Sequence, residues 1–160
     1  MGAVSHLTLD LLRAAAREVA EAYGLDLVVL FGSAAREGFA EAGDVDLAVT
    51  GGDDARIPTG GWGYGREAVL GSAFSSRLGT GAVDLVEVDR SSPLLQAHVA
   101  RDGVPLYECV PGTLDAFRHE AERRFEAALP GYEAEWEETK RQIRALLPLE
   151  PDYRPWGTPR

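Results

Sequence analysis

The sequence holds one cysteine, Cys109, and one lysine, Lys140, among its 160 residues. A single thiol excludes an internal disulfide framework and a cysteine-built zinc site, and it fits a reducing compartment. The lone lysine lies far down an acidic C-terminal helix. No glycine-rich loop can therefore carry the lysine that P-loop enzymes and protein kinases set on ATP phosphates. Any phosphate contact has to come from arginine, backbone amides, hydroxyls or a metal. Basic charge is scarce overall, with 26 acidic against 16 basic side chains and a formal net charge of −10. Broad capture of nucleic-acid phosphates calls for the opposite balance, so no direct nucleic-acid partner is expected. Long apolar runs are missing as well: nowhere do about eighteen apolar residues follow one another, and Met1 to Asp10 lacks a basic stretch with an apolar run behind it. A cytoplasmic protein without a membrane segment is the expectation.

What is present suffices for one core of ordinary size, with 45% hydrophobic residues in a chain of single-domain length. Apolar residues recur at helical spacing from Thr8 to Tyr23, with Thr8 placed as N-cap and Gly24 as stop. Leu27 to Phe31 is a continuous apolar run ended by Gly32, the profile of a strand buried on both faces. Val45 to Thr50 and Val83 to Val88 read as two more strands. Between these two lie a glycine-rich loop, Gly51 to Gly65, and a helix from Arg66 to Leu78. Ser91-Ser92-Pro93 opens a helix running to about Arg101, with proline in the first turn where its missing N–H costs nothing. Gly103 to Tyr107 is a short extended segment, weakened as a strand by Pro105. Helical spacing returns from Thr113 to Leu129, breaks at Pro130-Gly131 and resumes from Tyr132 to Leu147, with an apolar stripe read as core packing and a partner-binding face as its alternative. The order predicts an α/β (α+β) domain with a small mixed sheet flanked by helices. It divides into a core at 1–110, a helical extension at 111–147 and a proline-rich tail at 148–160.

Chemistry concentrates in Leu30-Phe31-Gly32-Ser33-Ala34-Ala35-Arg36-Glu37-Gly38 and in Gly43-Asp44-Val45-Asp46-Leu47. A buried strand that ends in Gly-Ser and turns straight into a helical segment offers free backbone N–H groups and a hydroxyl, arranged for phosphate oxygens. Asp44 and Asp46, two apart at the start of a strand, project to one face while Val45 and Leu47 point to the core. Two adjacent carboxylates repel unless a cation sits between them, and Mg²⁺ is commonly held by one or two carboxylates together with substrate phosphates. In Val83 to Asp89, Asp84 is flanked by apolar residues and is expected to be partly buried if its strand is central, able to reach the same metal. Glu87 and Asp89 are read as solvated, as is the Asp53-Asp54 loop. Trp62 or Tyr64 in the glycine-rich insertion could stack on a base as a flap, although a plain insertion is the simpler reading. His6, His98 and His119 have no metal spacing.

Gly-Ser, ten residues, Asp-X-Asp and a third aspartate in a later strand together resemble the minimal nucleotidyltransferases of the polymerase-β-like superfamily. The resemblance runs from about Leu9 to Glu108 and includes the closing stretch Gly103-Val104-Pro105-Leu106-Tyr107-Glu108. It departs from the usual pattern where glycine is delayed to Gly38 and where Gly43 stands in place of serine before the first aspartate.

The resemblance implies a nucleotidyltransferase fold and a set of roles. Asp44 and Asp46 would hold two Mg²⁺ ions, Asp84 would complete the metal site facing the acceptor and help deprotonate it, and Gly32, Ser33 and Arg36 would bind the ATP phosphates. Stand-alone members of this size resemble the antitoxins of HEPN/MNT toxin–antitoxin pairs. That implies transfer of AMP from ATP to a hydroxyl, expected to be a tyrosine, of a HEPN ribonuclease toxin, with homo- or hetero-oligomers as an open possibility. The alternatives are adenylylation of a small molecule, as in the aminoglycoside-modifying branch, and an inactive fold that neutralises a toxin by binding alone.

Overall fold

The computed structural model describes residues 4–58 and 65–144. The first helix, α1 (Leu9–Tyr23), starts where the Thr8 hydroxyl accepts the Leu11 N–H at 3.2 Å and stops at Gly24, whose φ of 70° closes the last turn. Its apolar positions give one buried face of Leu12, Ala15, Ala16, Val19 and Ala20. β1 (Leu25–Phe31) follows, then the short α2 (Gly32–Glu37) and β2 (Val45–Gly51), which runs antiparallel to β1. α3 (Arg66–Leu78) crosses over to β3 (Val83–Glu87), parallel to β2. A 3-10 turn at Val88–Arg90 leads to α4 (Pro93–Asp102), where the Ser92 hydroxyl accepts the Leu95 N–H and Pro93 sits in the first turn. β4 (Val104–Glu108) and α5 (Thr113–Arg144) complete the described chain.

The sheet order is β3-β2-β1-β4, so β1 and β2 are interior and both faces of β1 are covered. Val28 and Leu30 enter one core with α1 and α3, built around Leu12, Leu70 and Phe74. Leu27 and Val29 enter a second core on the opposite face with Ala48, Val88, Val99 and Leu114, beneath α4 and the start of α5. That division follows from the two-residue side-chain period of a strand, and it explains why β1 reads as a continuous apolar run. β4 is a regular edge strand despite Pro105; an edge tolerates a proline, and the pairing with β1 slips by one residue beside it.

The helix expected to break at Pro130-Gly131 is continuous from Thr113 to Arg144 with Pro130 inside it. Proline removes one backbone hydrogen bond and crowds the preceding turn, at about 3 kcal/mol. Local contacts tie the helix together on both sides of it. Phe125 and Tyr132 stack across the proline with ring centroids 6.3 Å apart, Glu120 binds Arg123 and Arg124, and Glu138 pairs with Arg141. Among the described residues no helix is long and apolar enough to cross a membrane. The tail from Pro148 onward lies outside the described residues.

Candidate active site

The start of β2 lies in the middle of the sheet's end, with Asp46 opposite Phe31 of β1 on one side and opposite Asp84 of β3 on the other. Because β2 and β3 are parallel and in this register, Asp46 and Asp84 are neighbours on one face. It is the face to which Ala48 and Val86 turn, beneath α4. Asp44 stands one residue ahead of the strand, and one carboxylate oxygen from each of Asp44, Asp46 and Asp84 lies within 4.8 Å of the others. The sequence expectation that the three carboxylates meet is therefore matched by the geometry. The expected setting of Asp84 is not: β3 is an edge strand and Asp84 is exposed, while Asp44 and Asp46 are half-buried.

Three anionic groups at this spacing are not at rest. Burial, then the Asp44 and Asp84 carboxylates, raise the pKa of Asp46 above its ordinary value, and only the Arg36 guanidinium acts in the other direction. A hard cation with oxygen ligands would relieve that repulsion, and the donor set of carboxylates without histidine or thiol suits Mg²⁺. Room for it is built into the backbone. Gly32 adopts a φ of 72°, and a Cβ there would overlap the Asp46 carboxylate, so the glycine serves both the turn and the acid beside it.

From that turn α2 opens with Phe31 as its N-cap and no side chain capping the first-turn amides. Ser33 is half-buried there, and Arg36 stands exposed in the last turn. Among the described residues Arg36 has no ion-pair partner. Its charge is felt at Asp46 and also at Asp102, whose pKa is lowered first by its hydrogen bonds to Arg101 and more weakly by Arg36. The pair formed by Arg101 and Asp102 on α4, with contacts of 2.8 and 2.9 Å, is a neighbour of α2 that sequence reading did not pick out. Nothing in the linear spacing connects residues 36 and 102.

Glu87 corrects another expectation. Read as solvated, it is buried, and it accepts a hydrogen bond from the Arg66 Nε at 2.6 Å. Arg66 also donates to the Gly51 carbonyl at 2.9 Å and pairs with Asp54, so Asp54 is more than a solvated loop residue. A buried carboxylate is stable only with such a partner. This cluster holds both ends of the glycine-rich insertion at the C-terminal end of β2, roughly 16 Å from Asp46 at strand spacing. Trp62 and Tyr64 themselves lie outside the described residues. The His6 Nε2 donates to the Leu78 carbonyl at 3.3 Å and the His119 Nδ1 to the Asp115 carbonyl at 2.8 Å. His98 has its pKa lowered by burial first and by Arg101 second.

With this geometry in place, comparison with known proteins gives a family. The profile described as "Polymerase beta, Nucleotidyltransferase" matches residues 16–109, more than half of the chain and the whole of the carboxylate site. The chain belongs to that nucleotidyltransferase family. No curated protein matches it in sequence. Among solved structures, a chain of a toxin–antitoxin complex with AMP-PNP superposes with a TM-score of 0.62 at 20% identity, covering 83% of this chain and 98% of that one. A chain from the tri-AMPylated Shewanella oneidensis HEPN toxin in complex with MNT antitoxin gives 0.61 at 19% identity, covering 82% and 98%. A chain of an MntA–HepT toxin–antitoxin structure gives 0.58 at 19%, covering 81% and 97%. Identities this low establish a shared nucleotidyltransferase fold, and the expected mixed sheet with flanking helices is the observed one.

Proposed function

We propose that this nucleotidyltransferase is an antitoxin that transfers AMP from ATP to a hydroxyl, most simply a tyrosine, of a HEPN ribonuclease and thereby silences it. The observation carrying the reading is the convergence of Asp44, Asp46 and Asp84 within 4.8 Å beside the open Gly32-Ser33 turn. The likeness to toxin–antitoxin chains, one of them with AMP-PNP and one with an AMPylated toxin, supports the choice of nucleotide and partner.

In this reading Asp44 and Asp46 hold Mg²⁺ together with the nucleotide phosphates, and Asp84 completes the set on the acceptor side. Bound there, Mg²⁺ supplies positive charge to the attacking and leaving oxygens. The Gly32 and Ser33 amides and the Ser33 hydroxyl take terminal phosphate oxygens, and Arg36, which has no ion-pair partner among the described residues, adds charge as pyrophosphate departs. The acceptor hydroxyl oxygen forms a bond to the α-phosphorus, the bond from that phosphorus to the bridging oxygen of the β-phosphate breaks, and the hydroxyl proton passes to an Asp84 carboxylate oxygen. Asp84 is exposed on an edge strand, which leaves the acceptor side open to a residue carried on another protein.

The test is to incubate the chain with the product of its neighbouring gene, ATP and Mg²⁺, and to weigh that product by mass spectrometry. AMP-sized increments that vanish when Asp44 and Asp46 are both changed to Asn support the reading. Absence of increments, or their persistence in the double variant, removes it.

A further inference from the structure

The two outer strands of the sheet present their free edges differently. β4 carries Pro105, which has no N–H to offer, and its pairing with β1 slips beside it. β3 pairs with β2 in unbroken register from Val83 to Glu87, with no proline and no bulge. Which of its backbone groups face outward follows from one hydrogen bond. The Val45 N–H donates to the Ala82 carbonyl at 3.0 Å, one residue before its register partner Val83. In a parallel ladder that phase turns the backbone groups of Ala82, Asp84 and Val86 toward β2 and those of Val83, Leu85 and Glu87 away from it. Glu87 agrees with the phase, because its N–H is taken by the Glu67 Oε1 of α3 at 3.0 Å. The outward N–H and C=O groups of Val83 and Leu85 have no such partner among the described residues. The open edge is therefore short and centred on Asp84.

The side chains along this edge are incompletely covered as well. Val83 and Leu85 pack against the core beneath α3 but remain half-buried. Asp84, between them, turns to the opposite face and meets Asp44 and Asp46. Unpaired strand edges invite the pairing of another chain, and proteins commonly blunt them. Here Glu67 closes one end of the edge, and the part left open is the part beside the three carboxylates.

We propose that the acceptor residue reaches the site on an extended segment of the partner protein, which adds to the free edge of β3 as an antiparallel strand. Its backbone exchanges hydrogen bonds with Val83 and with Leu85. The residue between those two pairs then stands opposite Asp84 in a non-hydrogen-bonded pair, with Cα atoms about 4.5 Å apart and both side chains on the carboxylate face. Strand addition of this kind takes affinity from the main chain and specificity from alternate side chains. The two neighbours of the acceptor turn to the other face, against Val83 and Leu85, so the segment is expected to read apolar, tyrosine, apolar. The choice of tyrosine rests on the AMP-transfer reading, whereas the pairing rests on the edge itself.

The capped peptide acetyl-Gln-Val-Tyr-Val-Gln-amide, titrated into the ¹⁵N-labelled full chain in EDTA without nucleotide, tests the pairing. Near saturation, shifts and at least a tenfold slowing of hydrogen exchange are expected at the Val83 and Leu85 amides, and neither at Val104 or Leu106 on the other edge. A peptide with phenylalanine in place of tyrosine should bind equally, because the main chain holds the segment. Esters in place of both valine N–H groups remove the donors aimed at the Val83 and Leu85 carbonyls and should weaken binding at least tenfold. An ester at the tyrosine N–H, which points away from β3, should leave binding unchanged. No saturation up to about 10 mM, a very weak interaction, overturns the proposal, as does an equal loss whichever N–H is replaced. Adding ATP and Mg²⁺ separates the docking from the reaction. AMP increments on the product of the neighbouring gene with no pairing at β3 overturn the docking and leave the transfer standing. Pairing at β3 with no increment on that product supports the docking and removes the transfer.

Discussion

Gly32 illustrates how one residue can serve two physical demands. A strand that must turn at once into a helix needs a positive φ, and the carboxylate of Asp46, presented by the neighbouring strand, needs the volume that a Cβ would occupy. Gly32→Ala meets neither demand. The strained backbone alone costs roughly 1–2 kcal/mol, which a urea melt would register without loss of fold. The larger effect falls on chemistry, because displacing Asp46 by the radius of a methyl group shifts one of three carboxylates meant to share a cation. A misplacement of about 1 Å is worth about a hundredfold in rate. AMP transfer in the Gly32→Ala chain is therefore expected to fall at least that far while circular dichroism stays native. Transfer at the parental rate would show that the space beside Asp46 is not used.

Apolar packing in two cores holds the elements together, while a buried charge pair decides details that the sequence left least readable. Capping and periodicity announced α1 and α4 nearly to the residue, since Thr8, Ser92 and Gly24 act through local hydrogen bonds and local backbone conformation, and α3 spans the expected Arg66 to Leu78. The fate of Glu87 depends on Arg66, 21 residues away, and nothing local could reveal that pairing. The persistence of α5 through Pro130 likewise rests on a stack between Phe125 and Tyr132 whose two members face each other only if the helix already continues. At the Arg66 cluster the consequence is measurable. Arg66→Ala leaves the buried Glu87 with only the exposed Arg90 guanidinium, 3.8 Å away, a change that costs about 3 kcal/mol, the lower end for a broken buried pair. Replacing both partners, as Arg66→Met with Glu87→Leu, should recover most of it in the same urea titration. A single variant as stable as the parent would mean that Glu87 takes water in place of the guanidinium.

At the scale of the whole molecule, the net charge of −10 noted from the sequence has a local centre. The candidate site was legible because its three acids and its Gly-Ser turn sit at strand ends, where the two-residue period and the apolar runs fix which way side chains point. The exposed edge position of Asp84 was hidden because strand order is set by crossovers that periodicity does not encode. A site designed around repulsion should make the fold's stability depend on what neutralises it. Burial first, then Asp44 and Asp84, raise the pKa of Asp46. A raised carboxyl pKa means that the ionised form weakens the fold at neutral pH and that the penalty fades as pH falls through the folded-state value. Without divalent ions, Asp46→Asn should therefore be the more stable chain, by about 0.5–1 kcal/mol once solvent screening is allowed for, or roughly 1–4 °C in a domain of this size. With Mg²⁺ and AMP-PNP at about a hundred times their dissociation constant, the parent gains about 2.7 kcal/mol, roughly 5–10 °C, and the variant gains little. The melting order of the two chains thus reverses between EDTA and Mg²⁺ with nucleotide. Differential scanning fluorimetry reads both conditions on one plate, and an unreversed order would separate the acidic cluster from metal–nucleotide binding.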